Sequence, residues 1–258
     1  MSDPLGTHKL RQNGWVQHIV YAPSMPSTND FALGLAADRS LATPALVATT
    51  AQTAGRGRGA NRWWSAPGSL TFSLILDLPE SLDAACRSQL ALVAGLGIRD
   101  AVARWTPGSP QVKWPNDVYL DHRKISGILI EASAARPLRA VVGVGVNVNN
   151  SLAAAPAEVR QRATSLCDLL GHSVEIADVL AATLEHFHLR LDRWLAAPES
   201  LADDWSPHCL LTGRAVAIES GGQRIEGRCE GIGRSGELRV QTLSGLTTCM
   251  SGVVASFD

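Results

Sequence analysis

No stretch of this chain approaches the ~18 consecutive apolar residues that a membrane helix requires, and its first 20 residues mix charged and polar groups instead of forming an apolar leader. A cytoplasmic protein with no membrane contact is the expectation. Charge of one sign is also missing: the net charge is −1 at pH 7, which gives no field that would attract nucleic acid. The five cysteines (Cys86, Cys167, Cys209, Cys229, Cys249) are odd in number, far apart and without a C-x-x-C pair. That pattern argues against a disulfide framework and a zinc site, and for a reducing compartment. The P-loop string G-x-x-x-x-G-K-[ST] does not occur. Gly143 to Asn149 (GVGVNVN) has neither the third glycine nor the following helix of a dinucleotide loop, so hydride transfer is unsupported. Residues 1–18 are too short for a helix-turn-helix module, and specific DNA binding is not expected.

What the chain does contain centres on residues 52–65, QTAGRGRGANRWWS. Gly55, Gly57 and Gly59 alternate with Arg56 and Arg58, and Trp63 and Trp64 follow. Glycine lets backbone approach a ligand, and arginine offers a permanently charged fork to phosphate or carboxylate. The segment lies between a buried strand at 45–50 and the alternation Leu70, Phe72, Leu74, Leu76, Leu78, so it reads as a loop above a sheet. A disordered arginine–glycine segment would repeat and sit in polar sequence; this one does neither.

The flanking chain supplies the frame. Ser27 or Thr28 is placed to cap a helix through Phe31, Leu33 and Leu35. Residues 88–105 predict a core helix, with Gly95 and Gly97 permitting close packing, and residues 176–196 an amphipathic one. Residues 111–133 read as a hairpin turning at Asp121-His122, interrupted by Pro115-Asn116-Asp117. Residues 138–149 form an apolar strand whose Gly143 and Gly145 leave room for something close to the backbone. After Pro207 the texture changes to short strands split by glycine turns, which predicts a small barrel. The expected division is 1–207 and 208–258.

Lys113-Trp-Pro-Asn-Asp117 is the second informative string, with Lys124 and Gly127 soon after. Asn116 and Asp117 stand at a strand break suited to a polar ligand edge or a magnesium ion, or to an Asx turn binding its own backbone. Lys124 opens an apolar strand, where a lysine is usually an edge residue that snorkels. With an arginine-rich loop elsewhere, an anion between the two is the better reading.

GRGRG followed by N-x-W-x-S, then KWPND, RKISGILIE and GVGVN, in this order, resembles the biotin protein ligases over about residues 24–170. The resemblance implies an α+β fold: a mixed β-sheet with helices, of the kind shared with class II aminoacyl-tRNA synthetases, followed by a small C-terminal SH3-like barrel. It also implies ATP-dependent activation of biotin to biotinyl-5′-AMP, with Mg2+, and transfer to a lysine of a biotin carboxyl carrier domain. By motif, Ser27, Thr28, Asn29 and Gln52 would meet the biotin ring, with Gly55, Arg56 and Arg58 closing over its tail. Lys124 would hold the biotin carboxylate and the α-phosphate, with Gly127 lining the pocket. Arg58, Trp63, Asn116, Asp117 and Asn147 would surround the nucleotide, and Arg56, Arg58 and Lys124 would be the catalytic cations. Metal ligands are not assigned and the oligomeric state, including a homodimer, is left open. Ala60 departs from the glycine many members carry, which puts a methyl group where positive φ is expected. A lipoate or octanoate ligase and a noncatalytic binding module remain the alternatives.

Overall fold

The computed structural model describes residues 5–6, 10, 14–82 and 88–258. The readings of Cys86 and of most of the first 13 residues therefore lie outside the described residues. Seven strands form one sheet: β1 (His18–Ala22), β2 (Ala45–Thr49), β3 (Leu70–Asp77), β4 (Gln111–Lys113), β5 (Asp117–Leu120), β6 (Arg123–Ser133) and β7 (Arg136–Val146). Their order is β1-β2-β3-β7-β6-β5-β4. Only β1 and β2 pair in parallel, the other neighbours being antiparallel. The edge strand β1 is not among the strands read from the sequence, although Ile19, Val20 and Tyr21 are residues that favour a strand. The β5–β6 hairpin turns where expected, on Asp121 and His122, both at positive φ (50° and 59°) as a two-residue turn demands.

The sheet is buried on both faces at β3, where Thr71 and Ser73 are as inaccessible as Phe72 and Leu74. Alternation sorts them to opposite sides. Leu70, Phe72, Leu74 and Leu76 join Val142, Val144 and Val146 in the main core. That core holds α2 (Leu90–Val102) and α5 (Ile176–Ala196). On the other side Ile75, Val141 and Val47 meet α1 (Thr28–Leu35) through Ala32. Ser27 caps α1, accepting from the Asp30 amide at 3.3 Å. α2 and α5 approach so closely that a Cβ on Gly97 would sit 2.6 Å from the Phe187 Cα, whereas one on Gly95 would meet only ordinary contact at 3.5 Å. Three short helices, α3 (Ala157–Arg162), α4 (Leu166–Leu170) and α6 (Leu201–Trp205), fill the connections around these two.

The C-terminal strands are β8 (Ala215–Ser220), β9 (Gln223–Ile232), β10 (Leu238–Thr242), β11 (Gly245–Cys249) and β12 (Val253–Phe257). The expected barrel is not formed. The order β11-β10-β9-β8-β12 leaves β11 and β12 as two unpaired edges, so the sheet is open and wholly antiparallel. The stretch 247–257 does not form one strand: it is broken at Met250–Gly252, and β11 and β12 run to opposite edges. The α+β class stands, with a mixed sheet and a separate antiparallel one. Trp114 Nε1 donates to Gly236 O (3.1 Å) and Gln89 Nε2 to Arg234 O (2.9 Å), which ties the small sheet to the large one. Among the described residues no helix is long and apolar enough to cross a membrane.

Arg139, at the entry of β7, is 2 % exposed. It donates from Nε and Nη2 to the two oxygens of Asp77, both at 2.7 Å, and from Nη1 to Asp38 O. These bonds hold the Asp77 carboxyl below its usual range against the opposing effect of burial. A depressed carboxylate contributes stability that is present above its unfolded pKa and is lost as pH falls through the folded one. Asp77→Asn should cost roughly 1 to 3 kcal/mol at neutral pH, because a buried charged donor is left short of a partner. The difference from the parent should shrink below about pH 4, as read from urea midpoints across pH.

Candidate functional site

The site lies on the α1 face of the sheet, and the strand register shows why. Thr71, Gly145, Gly127, Asp117 and Lys113 follow one another across β3, β7, β6, β5 and β4. In the next row Ser73 pairs with Gly143 and Gly143 with Leu129. Glycine at three of these positions removes the side chains that would otherwise fill this face. What comes close to β7 is protein: a Cβ on Gly143 would overlap the Asn29 amide, and one on Gly145 would overlap the Trp63 indole. The two glycines let these groups lie on the backbone and become the floor and wall of a cleft of about 410 Å3.

One end of the cleft is polar and neutral. Gln52 Oε1 accepts from Thr28 N at 2.7 Å and from Thr28 Oγ1 at 3.2 Å. The buried Ser73 hydroxyl sits 2.8 Å from Thr28 Oγ1 and 2.6 Å from Asn29 Oδ1, facing both acceptors with one proton. Ser27, Thr28, Asn29 and Gln52 come together in the cleft lining, and Ser73, which sequence reading missed, sits behind them. Its signal was the pair of polar residues, Thr71 and Ser73, alternating with Leu70, Phe72 and Leu74 in β3.

The other end is charged. Lys124 Nζ lies 2.6 Å from Asp117 Oδ1 and 6.0 Å from the Trp63 ring centroid. That carboxylate oxygen is buried and has no hydrogen bond of normal geometry, so the ion pair is its contact. Gly127 lies beneath, where a Cβ would press on the Lys124 Nζ at 3.0 Å. Tyr119 is pushed up to about 12 by burial first and by Asp117 second. Lys113, flanked by the Tyr119 and Phe257 rings at 5.4 and 5.1 Å, is lowered chiefly by burial, with Lys124 and Arg162 adding repulsion. Positive charge thus exceeds what Asp117 offsets here, which suits a polyanion.

Asn116 and Asn147 line the cleft but brace it. Asn116 Nδ2 donates to Ile128 O at 2.7 Å. Asn147, 3 % exposed, donates to Thr164 O and accepts from Asn150 Nδ2, both at 3.0 Å, so each end of its amide is taken. Val159, Arg162 and Ala163, around α3, close the cleft from above. Their Ala- and Pro-rich stretch gave no sign of it; what places them is the Thr164 amide donating to Lys124 O at 2.9 Å.

The ligand loop folds back on itself: Trp63 N donates to Gly55 O (3.1 Å) and Gly57 N to Asn61 O (2.8 Å). Its turn uses Gly59 at φ 64°, while among the described residues only Asp121 and His122 are non-glycine at positive φ. The methyl group of Ala60 is therefore accommodated, and the Asn61 amide closes the turn on Arg58 O at 2.9 Å. Gly55 does not line the cleft; a Cβ there would meet Trp63 O at 2.7 Å, so it serves the loop's own fold. Arg56 lines the cleft but pairs with Asp30 (2.7 Å) and Glu131 (2.5 Å). Arg58 does not line it: its guanidinium donates to the carbonyl of Gly252, between β11 and β12. No group of three His, Cys, Asp or Glu that could hold a metal ion exists among the described residues.

Comparison with known proteins agrees with this geometry. The model of the biotin/lipoate A/B protein ligase family matches residues 21–149, and that of the biotin protein ligase C terminal domain matches 211–255. A biotin–[acetyl-CoA-carboxylase] ligase of Mycobacterium tuberculosis is 34 % identical over 91 % of this chain and 89 % of its own length. The bifunctional ligase/repressor of Bacillus subtilis is 30 % identical over 89 % of this chain and 71 % of its own. The biotin protein ligase of Aquifex aeolicus, solved with biotin and ATP, superposes with a TM-score of 0.80 at 28 % identity, covering 94 % of this chain and 98 % of that one. On the family match over residues 21–149 and 34 % identity to a relative over 91 % of this sequence, the chain belongs to the biotin/lipoate A/B protein ligase family.

Proposed function

We propose that the protein is a biotin protein ligase that activates biotin with ATP to biotinyl-5′-AMP and transfers the biotinyl group to a lysine of a biotin carboxyl carrier domain. The observation that carries this reading is the polarity of one cleft. Its neutral end offers the donors and acceptors a ureido ring needs, Trp63 walls the middle, and Lys124 stands at the far end, where a carboxylate would meet a triphosphate. In the first step a biotin carboxylate oxygen bonds to the α-phosphorus and the bond to the bridging oxygen breaks, releasing pyrophosphate. In the second, a neutral lysine amine attacks the acyl carbon, AMP leaves, and the amine gives up a proton.

Two anions must approach in the first step, so positioned cations carry much of the catalysis. Lys124 lies at the junction, and Asp117 holds its ammonium in place until substrate oxygens share it. Arg58 would swing from the Gly252 carbonyl to the phosphates as the loop closes, keeping water from the mixed anhydride. Asp117 would offer a carboxylate to a Mg2+ ion held mainly by phosphate oxygens, a donor set that suits magnesium, and the ion would supply charge neutralisation.

Biotin-dependent exchange of pyrophosphate into ATP tests the reading directly. Exchange driven by lipoate and not biotin, or by neither, would refute it. Lys124→Gln keeps much of the stem and removes the charge. Loss of a charge-assisted hydrogen bond of roughly 1.5 to 3 kcal/mol should slow single-turnover adenylation by roughly 10- to 150-fold. Transfer from preformed adenylate should fall less, since the carboxylate charge is gone by then, and adenylation at the parental rate would remove Lys124 from the mechanism. Arg58→Gly should leave adenylate formation less affected than its retention, seen as faster release in a dilution chase and as biotin on unrelated lysines.

A further inference from the structure

Arg56 is engaged by carboxylates of its own chain. Its Nη2 lies 2.5 Å from Glu131 Oε2 and 2.7 Å from Asp30 Oδ1. Burial works against the charge, and the two carboxylates, Glu131 before Asp30, more than offset it, so its pKa is raised. The same Glu131 oxygen accepts from Asn29 Nδ2 at 2.8 Å. Asn29 is the residue that lies flat on Gly143 and accepts from Ser73, which also contacts Thr28, which in turn bonds to Gln52. Gln52 and Arg56 both belong to the ligand loop. The contacts therefore make a closed circuit, from the loop down through Glu131, across the pocket floor and back up to the loop four residues earlier.

We propose that Glu131 is a positioning residue of this enzyme: its single oxygen ties Arg56 to Asn29 and so fixes the base of the ligand loop to the biotin-ring floor before substrate enters. Glu131 carries this more than Asp30 does, because its side chain is 26 % exposed against 54 % and exposed pairs are weakened by water. The circuit leaves the hairpin tip, residues 57–61, as the part free to close. Arg56 is thereby a strut and Arg58 the mobile cation, although the two are neighbours in one motif. The inference rests on reading the cleft as the biotin site, and it explains why a carboxylate sits beside a cleft built for anions: a substrate that finds the floor and the loop base already set spends less of its binding energy ordering them.

Glu131→Gln preserves volume and one acceptor oxygen but removes the charge shared by the two donors. The biotin KM in pyrophosphate exchange should rise about tenfold, the factor expected for weakening one charge-assisted hydrogen bond, with kcat changed by less than about threefold. The ATP KM should stay the same. A second readout needs no activity: trypsin should cut the unliganded variant faster after Arg56 or Arg58 than the parent, at an unchanged urea midpoint. Glu131→Asp, which keeps the charge on a shorter stem, should recover part of both effects. Parental biotin KM and parental cleavage in Glu131→Gln would overturn the proposal, as would changes that only follow a lowered urea midpoint. If Glu131→Gln does not fold, Arg56→Gln cuts the same link from its exposed side and must raise cleavage after Arg58, or the proposal fails. A parent protein without biotin-dependent exchange sinks the functional reading instead, and the trypsin comparison still decides the anchoring.

Discussion

The site depends on a strand that has no side chains where side chains would be most obstructive. β7 lies in the middle of the large sheet, and from Ala140 to Val146 it is buried on both faces and every residue of it is Val, Ala or Gly. On the α2–α5 side the valines make the core. On the α1 side Gly143 and Gly145 give up that packing so that an amide and an indole can rest on bare backbone. Glycine inside a strand weakens it, and here the loss is offset because Asn29 and Trp63 restore close contact from outside the sheet. The floor of the cleft is thus made by other elements folded onto β7, and the central strand acts as a flat reference plane against which α1 and the ligand loop are both registered.

Electrostatics follows the same division. Two of the cations that line the cleft are paired with carboxylates on the sheet: Lys124 with Asp117 on β5, Arg56 with Glu131 on β6. A partly buried ammonium or guanidinium with no counter-ion would carry a desolvation penalty throughout the unliganded state. The pairs avoid that penalty and hold the side chains in place, and an anionic substrate then competes for, or shares, an already oriented cation. Lys113, Tyr119 and Phe257 extend the arrangement to the edge of the sheet, where the C-terminal strand β12 meets it through aromatic and cation–ring contacts.

The sequence made the frame legible wherever one physical signal acted alone. The long helices followed from 3.6-residue periodicity, the β5–β6 turn from Asp121-His122, and the cleft from glycines and polar residues ordered as in the family. It misled where two demands shared a segment. β3 alternates apolar with Thr71 and Ser73, which reads as a half-exposed strand, although its polar face is buried as the pocket floor. Arg56 and Arg58 look equivalent in GRGRG, yet Arg56 sits on the paired stem of the loop and meets Glu131 on the sheet, while Arg58 enters the turn and reaches the distant Gly252. Asn147 sits in a suggestive motif, while its amide is consumed by the chain around it. The open C-terminal sheet in place of a barrel is a matter of whether β11 and β12 bond to each other, which depends on three-dimensional closure and leaves no mark in short glycine-punctuated strands.

The attachment of that sheet has a consequence for how the molecule can be taken apart. Val216, Ile218, Cys229, Leu238 and Val240 belong to the same continuous apolar cluster as Phe187, Trp205 and Val112. The indole of Trp114, inside the KWPND string, ends on the carbonyl of Gly236. A cut between the two sheets would run through shared core, leaving an oily wound on both pieces. Melting should therefore pass through one cooperative step, and grafting the terminal sheet of a relative onto this chain would succeed only if the seam at Gln89, Trp114 and Gly236 travelled with it. The boundary between the sheets is a change of texture along the chain and a weld in space.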